Sequence, residues 1–240
     1  MTDSPEQELA RRTRRSFLAL GAGAVAVGGV LTWLWNQPME DEIPHALRSV
    51  LRFNEGVARN VLFSNRHLVA TYPASAVGKL KKNGDVGIDK PIDLAAWRLD
   101  VAGKQLSMDE IRTLPRVEQT IDFKCVEGWS TVTQFAGVRL ADFTARFAPG
   151  AEKQGYVAME TPDKEYYISL DMPSAMHPQT LLAYEMNGAS LTSDHGAPLQ
   201  LLIPVKYGIK NLKRIGKIEY TDQRPKDYWA EQGYDWYAGL

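Results

Sequence analysis

Residues 17–35 run almost entirely through apolar side chains and glycine, and no residue from 16 to 39 carries a charge. As a helix, 17–35 would be about 28 Å long at ~1.5 Å per residue, close to the hydrocarbon thickness of a bilayer. Trp33 and Trp35 fall at its far end, where aromatic side chains favour the membrane interface. Across 44–63 the pattern changes: Leu47, Val50, Leu51, Val57, Val61 and Leu62 recur at helical spacing with a polar gap at Asn54, which predicts a short amphipathic helix. Residues 71–93 are rich in Pro, Gly, Asn and Lys and read as loop. Trp97-Arg98-Leu99-Asp100-Val101 alternates as a strand does and runs into a turn at Ala102-Gly103. Ser107 and Glu110 have the spacing of a capping box opening a short helix. Further strands are predicted at Val117–Lys124, Tyr156–Glu160, 166–170, Leu181–Met186, 199–205 and 213–220, with a turn at Asn187-Gly188 and a helix over Leu140–Phe147. Many strands, few helices and no regular βα alternation predict an α+β fold.

Charge sharpens the reading of the N-terminus. Arg11, Arg12, Arg14 and Arg15 precede the apolar stretch, and Phe17-Leu18 follow directly. A charged segment before an apolar one is a targeting signal, and this one resembles a twin-arginine signal. The residues after the stretch are too bulky for a cleavage site, so the segment is read as an uncleaved anchor. Its arginines would stay in the cytoplasm and the rest of the chain would be exported. Elsewhere charge excludes more than it suggests. The 28 Lys+Arg against 29 Asp+Glu leave no basic field to hold nucleic acid. A single cysteine rules out an internal disulfide framework and any multi-cysteine zinc or iron–sulfur site.

Three segments carry candidate chemistry. In Phe123-Lys124-Cys125-Val126-Glu127-Gly128-Trp129-Ser130 the cysteine stands at a predicted strand end before a glycine turn, where a rigid frame can hold a reactive side chain accessible. A lone cysteine is equally a small buried hydrophobe. The second segment joins Tyr184-Glu185-Met186-Asn187-Gly188 to Ser193-Asp194-His195-Gly196-Ala197-Pro198; it reads either as a site or as a hairpin with a hydrogen-bonded histidine. The third, Lys206-Tyr207-Gly208-Ile209-Lys210-Asn211-Leu212-Lys213, can form a phosphate nest or a solvated loop.

Taken in order, with Tyr-Val-Ala-Met-Glu-Thr at 156–161 and Ala-Met-His-Pro at 175–178 between them, these segments resemble the sulfite oxidase-like molybdopterin oxidoreductases. The resemblance runs from about Trp97 onward, with a weaker stretch at 63–73, and is nearer to the periplasmic methionine sulfoxide reductase branch. The patterns divide the chain into a signal or anchor at 1–36, a linker helix at 37–63 and a mixed domain at 64–240, and the resemblance implies that this α+β domain binds a molybdenum–molybdopterin cofactor. Cys125 matches the protein thiolate on the metal, and a soft donor suits that role. Asn65, Arg66 and His67 are similar to the family's Arg-Asn-His segment with the first two exchanged. Thr161 falls at a cofactor-contact position, His195 matches the Asp-His-Gly histidine, and Asn211, Leu212 and Lys213 fall on the phosphate-side loop. Two residues after Pro198 the family usually has an arginine; here it is Gln200, with Lys206, Lys210 or Lys213 as possible substitutes.

The resemblance implies two-electron oxygen-atom transfer. Cys125 is followed by Val126, Glu127, Gly128 and Trp129 with no arginine pair, which suits a sulfoxide or another neutral oxo-substrate, free or protein-bound, better than an anion. The alternatives are a sulfite-oxidising enzyme and a non-catalytic anchored binding module. With no haem signature in the chain, electrons are expected from a membrane haem or other electron-transfer protein. The family's C-terminal dimerisation domain has no counterpart, so a family-type homodimer is not expected. Changing Arg14-Arg15 to Lys-Lys keeps the charge but removes a receptor-read pair. Cell fractionation should then find the protein in the cytoplasm, and normal export would mean a different route.

Overall fold

A computed structural model describes residues 5–79, 81–82 and 84–240; the first four residues of the segment read as a signal or anchor and two positions of the 71–93 loop lie outside the described residues. Two compact units are distinguished, Met1–Arg52 and Phe53–Leu240. In the first, helix α1 (Pro5–Trp35) takes in the four arginines as well as the apolar stretch. Its part from Arg11 to Trp35 is long and apolar enough to cross a membrane, with a mean hydropathy of 1.9 and no buried share. Two short paired strands, β1 (Met39–Glu40) and β2 (Ile43–Pro44), follow, and helix α2 (His45–Val57) begins directly after them. The predicted amphipathic helix therefore starts on cue, but it closes in a π-helical turn over Ala58–Leu62.

The second unit is built on two five-stranded sheets. One contains β5 (Val117–Lys124), β6 (Ser130–Arg139), β9 (Leu181–Met186) and β10 (Ala189–Ser190), with β11 (Gln200–Leu202) also pairing with β9. The other has the order β4-β3-β12-β7-β8, formed by β3 (Leu99–Val101), β4 (Lys104–Leu106), β7 (Tyr156–Glu160), β8 (Tyr167–Asp171) and β12 (Lys217–Thr221). Among the described strands only the β3–β12 pair is parallel. Between the sheets lies the main core, where Val138, Leu182 and Leu201 of the first sheet meet Val101, Met159, Leu170 and Ile218 of the second, with Phe143 of helix α4 (Leu140–Phe147). Ile121, Phe135, Leu181, Ala183 and Leu202 form a smaller core on the other face of the first sheet. Strand β9 is thus apolar at successive positions because both its faces are covered.

Most of the predicted elements stand where their patterns put them. Ser107 caps helix α3 (Met108–Arg112) with both hydrogen bonds of the capping box, and Asn187-Gly188 turns β9 into β10 with both residues at positive φ. The predicted strand 199–205 shrinks to β11, because its continuation is tied to loop 206–211 instead of a strand. The 213–220 strand starts only at Lys217, since Leu212 to Gly216 bond to Leu201, Gly196, Leu199 and Glu160 as loop. The ten-residue β6 has no counterpart among the predicted strands. Its sequence mixes threonines, a glutamine and a glycine, and its alternation becomes visible only once β5 and β9 flank it.

Gly137 shows what that placement demands. It sits at a register shift between β6 and β9, and a Cβ there would lie 2.0 Å from the Leu182 carbonyl oxygen. Backbone cannot give way as a side chain can, so Gly137→Ala should lower the unfolding free energy on the order of 3 kcal/mol, read from urea denaturation. Wild-type stability would show that the strands can separate without cost.

Candidate active site

Cys125 stands one residue beyond the end of β5, and its N–H donates to the Trp129 carbonyl at 2.9 Å while Gly128 N–H donates to the Cys125 carbonyl at 3.2 Å. This five-residue link into β6 is closed on itself, so the thiol is held by a rigid hairpin and is only 5% exposed. Its side chain lines a pocket of about 170 Å³ in the second unit. Within the link Trp129 Nε1 donates to Glu127 at 2.7 Å, and the Lys81 ammonium lies 4.6 Å from the Trp129 ring centroid.

His195 arrives from the loop between β10 and β11. Its Nδ1 pairs with Thr192 Oγ1 at 2.8 Å. Its Nε2 is buried on the pocket side without a hydrogen-bond partner among the described residues. Gly196 makes this position possible. It has φ +80, and a Cβ there would lie 2.6 Å from Arg214 N and 2.7 Å from Lys213 Cβ, so only glycine lets the histidine turn lie against the Lys213 backbone. Arg214, almost fully buried, braces the same turn by donating to Ser193 Oγ at 2.8 Å and to the Lys90 carbonyl.

From the third segment Lys213 and Asn211 line the same pocket, and so does Gln200 at the start of β11. Asn211 Oδ1 accepts from Ile203 N–H at 2.7 Å and its amide donates to the Tyr207 carbonyl at 3.2 Å, fixing the loop. Lys213 donates to the Gly84 carbonyl at 3.1 Å. Burial, with Lys82 nearby, pushes its ammonium down to about 8. Burial, followed by Lys213, also holds His195 below the ordinary histidine value.

The other expected residues lie apart from the lining. Asn65, Arg66 and His67 are exposed, and the His67 carbonyl accepts from His177 Nε2 at 3.3 Å. Thr161 is buried, with its hydroxyl donating to Asp163 at 2.6 Å. Leu212 is part of the main core. Two of the three candidate lysines are also turned away. Lys206 lies 3.7 Å from Asp171 and over the Tyr237 ring, and Lys210, 1% exposed, pairs with Asp227 and donates to the Ser169 carbonyl at 3.1 Å. Of the substitutes considered for the missing arginine, Lys213 is the one in the pocket lining. The sequence patterns did not single out Tyr166, Trp229 and Tyr234, which complete an aromatic wall. For Trp229 and Tyr234 the sequence signal is the density of aromatics after residue 227.

A soft thiol, a buried ring nitrogen with no hydrogen-bond partner among the described residues, the amides of Gln200 and Asn211 and the ammonium groups of Lys81 and Lys213 share this pocket. That donor set fits a group presenting a soft metal and an anionic, hydrogen-bonding organic ligand.

Comparison with known proteins agrees. Residues 86–229 match the family model of the oxidoreductase molybdopterin binding domain. A candidate protein-methionine-sulfoxide reductase subunit, YedZ1, of Azospira oryzae is 33% identical over 238 residues, 94% of this chain and 87% of that protein. The protein-methionine-sulfoxide reductase catalytic subunit MsrP of Campylobacter jejuni is 32% identical over 254 residues, 95% of this chain and 81% of its own length. Among solved structures, sulfane dehydrogenase SoxCD from Paracoccus pantotrophus superposes with a TM-score of 0.50 at 20% identity. That match spans 56% of this chain and 40% of that one, and it speaks to the fold alone.

Lys206 offers a test that leaves the pocket untouched. Burial pushes it down to about 7, against a neighbouring Asp171 that pulls it up. Between about pH 7 and the ordinary lysine value near 10.4 the unfolded chain therefore binds a proton that the folded chain does not, and stability rises with pH in that window. Lys206→Met removes this contribution. In denaturation series the wild type should gain on the variant between pH 7 and 10; a constant difference would mean that Lys206 stays charged throughout.

Proposed function

The chain belongs to the oxidoreductase molybdopterin-binding domain family, and on that premise we propose that it is an exported, membrane-associated enzyme reducing sulfoxides. Membership makes it an oxidoreductase of the molybdopterin type. The observation carrying the rest is the meeting of Cys125, His195, Asn211 and Lys213 in one pocket with an aromatic wall.

In this reading Cys125 holds molybdenum through its sulfur. His195 Nε2, the Asn211 amide and the Lys213 ammonium hold the pterin and its phosphate, with Gln200 beside them. The resemblance alone adds Asn65, Arg66, His67, Thr161 and Leu212 as cofactor contacts. When bound, the molybdenum–molybdopterin group supplies a metal that takes an oxygen atom and passes two electrons. The reaction it serves is balanced as sulfoxide plus two electrons and two protons giving thioether and water.

The chain's own residues set the conditions for that exchange. Phe123, Trp129, Tyr166 and Trp229 keep the pocket apolar and exclude water from the thiolate. Glu127 locks the Trp129 indole by accepting its N–H. Among the described lining residues Glu127 stands with Lys81 and Lys213 and there is no arginine, so the lining holds no bidentate anion clamp, which a neutral substrate does not need. The relatives named for protein-methionine-sulfoxide reduction support the same choice. The apolar α1 supports placement at a membrane, with its arginines on the cytoplasmic side and the second unit exported. A membrane haem or other electron-transfer protein would deliver the electrons there, since the chain has no haem attachment signature.

Cys125→Ser should keep the fold, judged by circular dichroism, and lose turnover by at least about a thousandfold, the scale set by losing an essential catalytic group. Wild-type protein should carry about one molybdenum per chain, since the site's ligands are supplied by the folded protein. Dye-linked assays of sulfoxide reduction and sulfite oxidation, run side by side, should show the first as the faster. Retained activity in Cys125→Ser would overturn the ligand assignment, and faster sulfite oxidation would overturn the substrate class.

A further inference from the structure

Trp229 and Tyr234 reach the pocket from residues 224–240, which follow the last strand and run back over the domain. This tail is held at several points on either side of the two rings. Asp227 accepts from Ser169 N–H at 3.0 Å and from Ala230 N–H at 3.2 Å, and it pairs with the buried Lys210. Trp236 Nε1 donates to Ser169 Oγ at 2.7 Å. Arg224 donates to Glu55 at 2.7 Å and lies 3.9 Å from the Trp236 ring centroid. Beyond them Tyr207 N–H donates to the Ala238 carbonyl at 3.0 Å.

Between these fastenings the chain makes one tight loop. Tyr234 N–H donates to the Trp229 carbonyl at 3.0 Å, and Gly233 takes φ +91 to close it. The two rings are brought to 5.1 Å between centroids at 69°. Trp229 Nε1 donates to Tyr166 Oη at 3.0 Å, and Tyr166 in turn donates to the Ile209 carbonyl at 2.6 Å. With its N–H so engaged, Trp229 has only its ring to offer the pocket, and Tyr234, 42% exposed, stands at the rim.

The geometry points to this pair as the specificity-determining wall of the pocket: Trp229 and Tyr234 receive the apolar arm on the sulfur of the substrate. The inference rests on the sulfoxide reading above and adds to it which sulfoxides are preferred. Neither ring offers a charge, and both present faces and edges that favour a thioether-like sulfur and the carbons attached to it. A sulfoxide bearing a flexible side chain or an aryl group gains this contact, whereas dimethyl sulfoxide has only methyl groups to offer it. Because the tail is fixed to the sheets, the wall is present before substrate arrives and its contact costs little ordering.

The test uses the full-length, molybdenum-loaded enzyme and its variants Trp229→Ala, Trp229→Phe and Tyr234→Ala, with molybdenum content and thermal melting measured on each. Wild type should show a lower KM for methyl p-tolyl sulfoxide and N-acetylmethionine sulfoxide than for dimethyl sulfoxide. Trp229→Ala should raise the first two by about tenfold, the scale of one lost apolar contact, and raise the KM for dimethyl sulfoxide by less. Trp229→Phe should restore most of the preference. Tyr234→Ala, a change at an exposed rim position, should shift the preference in the same direction without altering melting, so a Trp229 variant that fails to fold still leaves the wall testable. Unchanged KM ratios in variants with normal metal content would overturn the inference.

Calorimetric binding of methyl phenyl sulfone against dimethyl sulfone, neither of them turned over, separates this inference from the reading it rests on. Preference for the aryl sulfone in wild type, lost in either alanine variant, supports the wall even if no sulfoxide is reduced, in which case the reaction class alone falls. No preference in wild type overturns the wall whatever the activity.

Discussion

The pocket depends on the register of one strand. β9 is buried on both faces, so a slip of one residue would exchange Leu182 and Tyr184, which face the main core, with Leu181 and Ala183, which face the smaller one. The register that this enforces positions three other segments. β6 lies against β9 only because Gly137 has no side chain, and β6 carries the hairpin that holds Cys125. β10 leaves β9 through Asn187-Gly188 and leads into the His195 loop, and β11 returns to pair with β9 and places Gln200 at the rim of the same space. Residues separated by some seventy positions in the chain become neighbours through a single buried strand.

Electrostatics completes what topology begins. The domain buries several cations but uses them differently. Arg214 has its guanidinium spent on a hydroxyl and a carbonyl, and it acts as a brace for the turn that carries His195. Lys206 and Lys210 have acidic partners and aromatic rings beside them and belong to the frame. Lys213, with a backbone carbonyl as its contact, keeps an ammonium at the pocket. In a lysine-rich loop, which charges serve a site depends on which carboxylates the rest of the chain brings near them.

This explains what could be read from sequence and what could not. The capping box at Ser107, the Asn187-Gly188 turn and the strand-end position of Cys125 are local, since the residues that decide them lie within a few positions of one another. Family resemblance carried the choice of Cys125 and His195 from there. β6 escaped because one of its two neighbours, β9, pairs with it from 42 to 51 residues away in the chain (Arg139 with Leu181, Phe135 with Met186), and Thr-rich strands with an internal glycine have little apolar signal of their own. The lysines of the third segment looked equivalent because Asp171 and Asp227, which capture two of them, are remote in sequence. Trp229 and Tyr234 were invisible as site residues for the same reason: the tail's path over the domain is decided by Ser169, Lys210 and Glu55.

The buried pair between Lys210 and Asp227 has a consequence for fidelity more than for strength. Pairing two desolvated charges gives little net gain over an apolar contact of the same size, yet separating them leaves the buried Lys210 with the Ser169 carbonyl but no counter-charge. A greasy latch would accept the tail shifted by a residue at modest cost. This one does not, because a shifted tail would strand both charges inside the protein. The ion pair therefore works as a key that admits a single seating of residues 224–240.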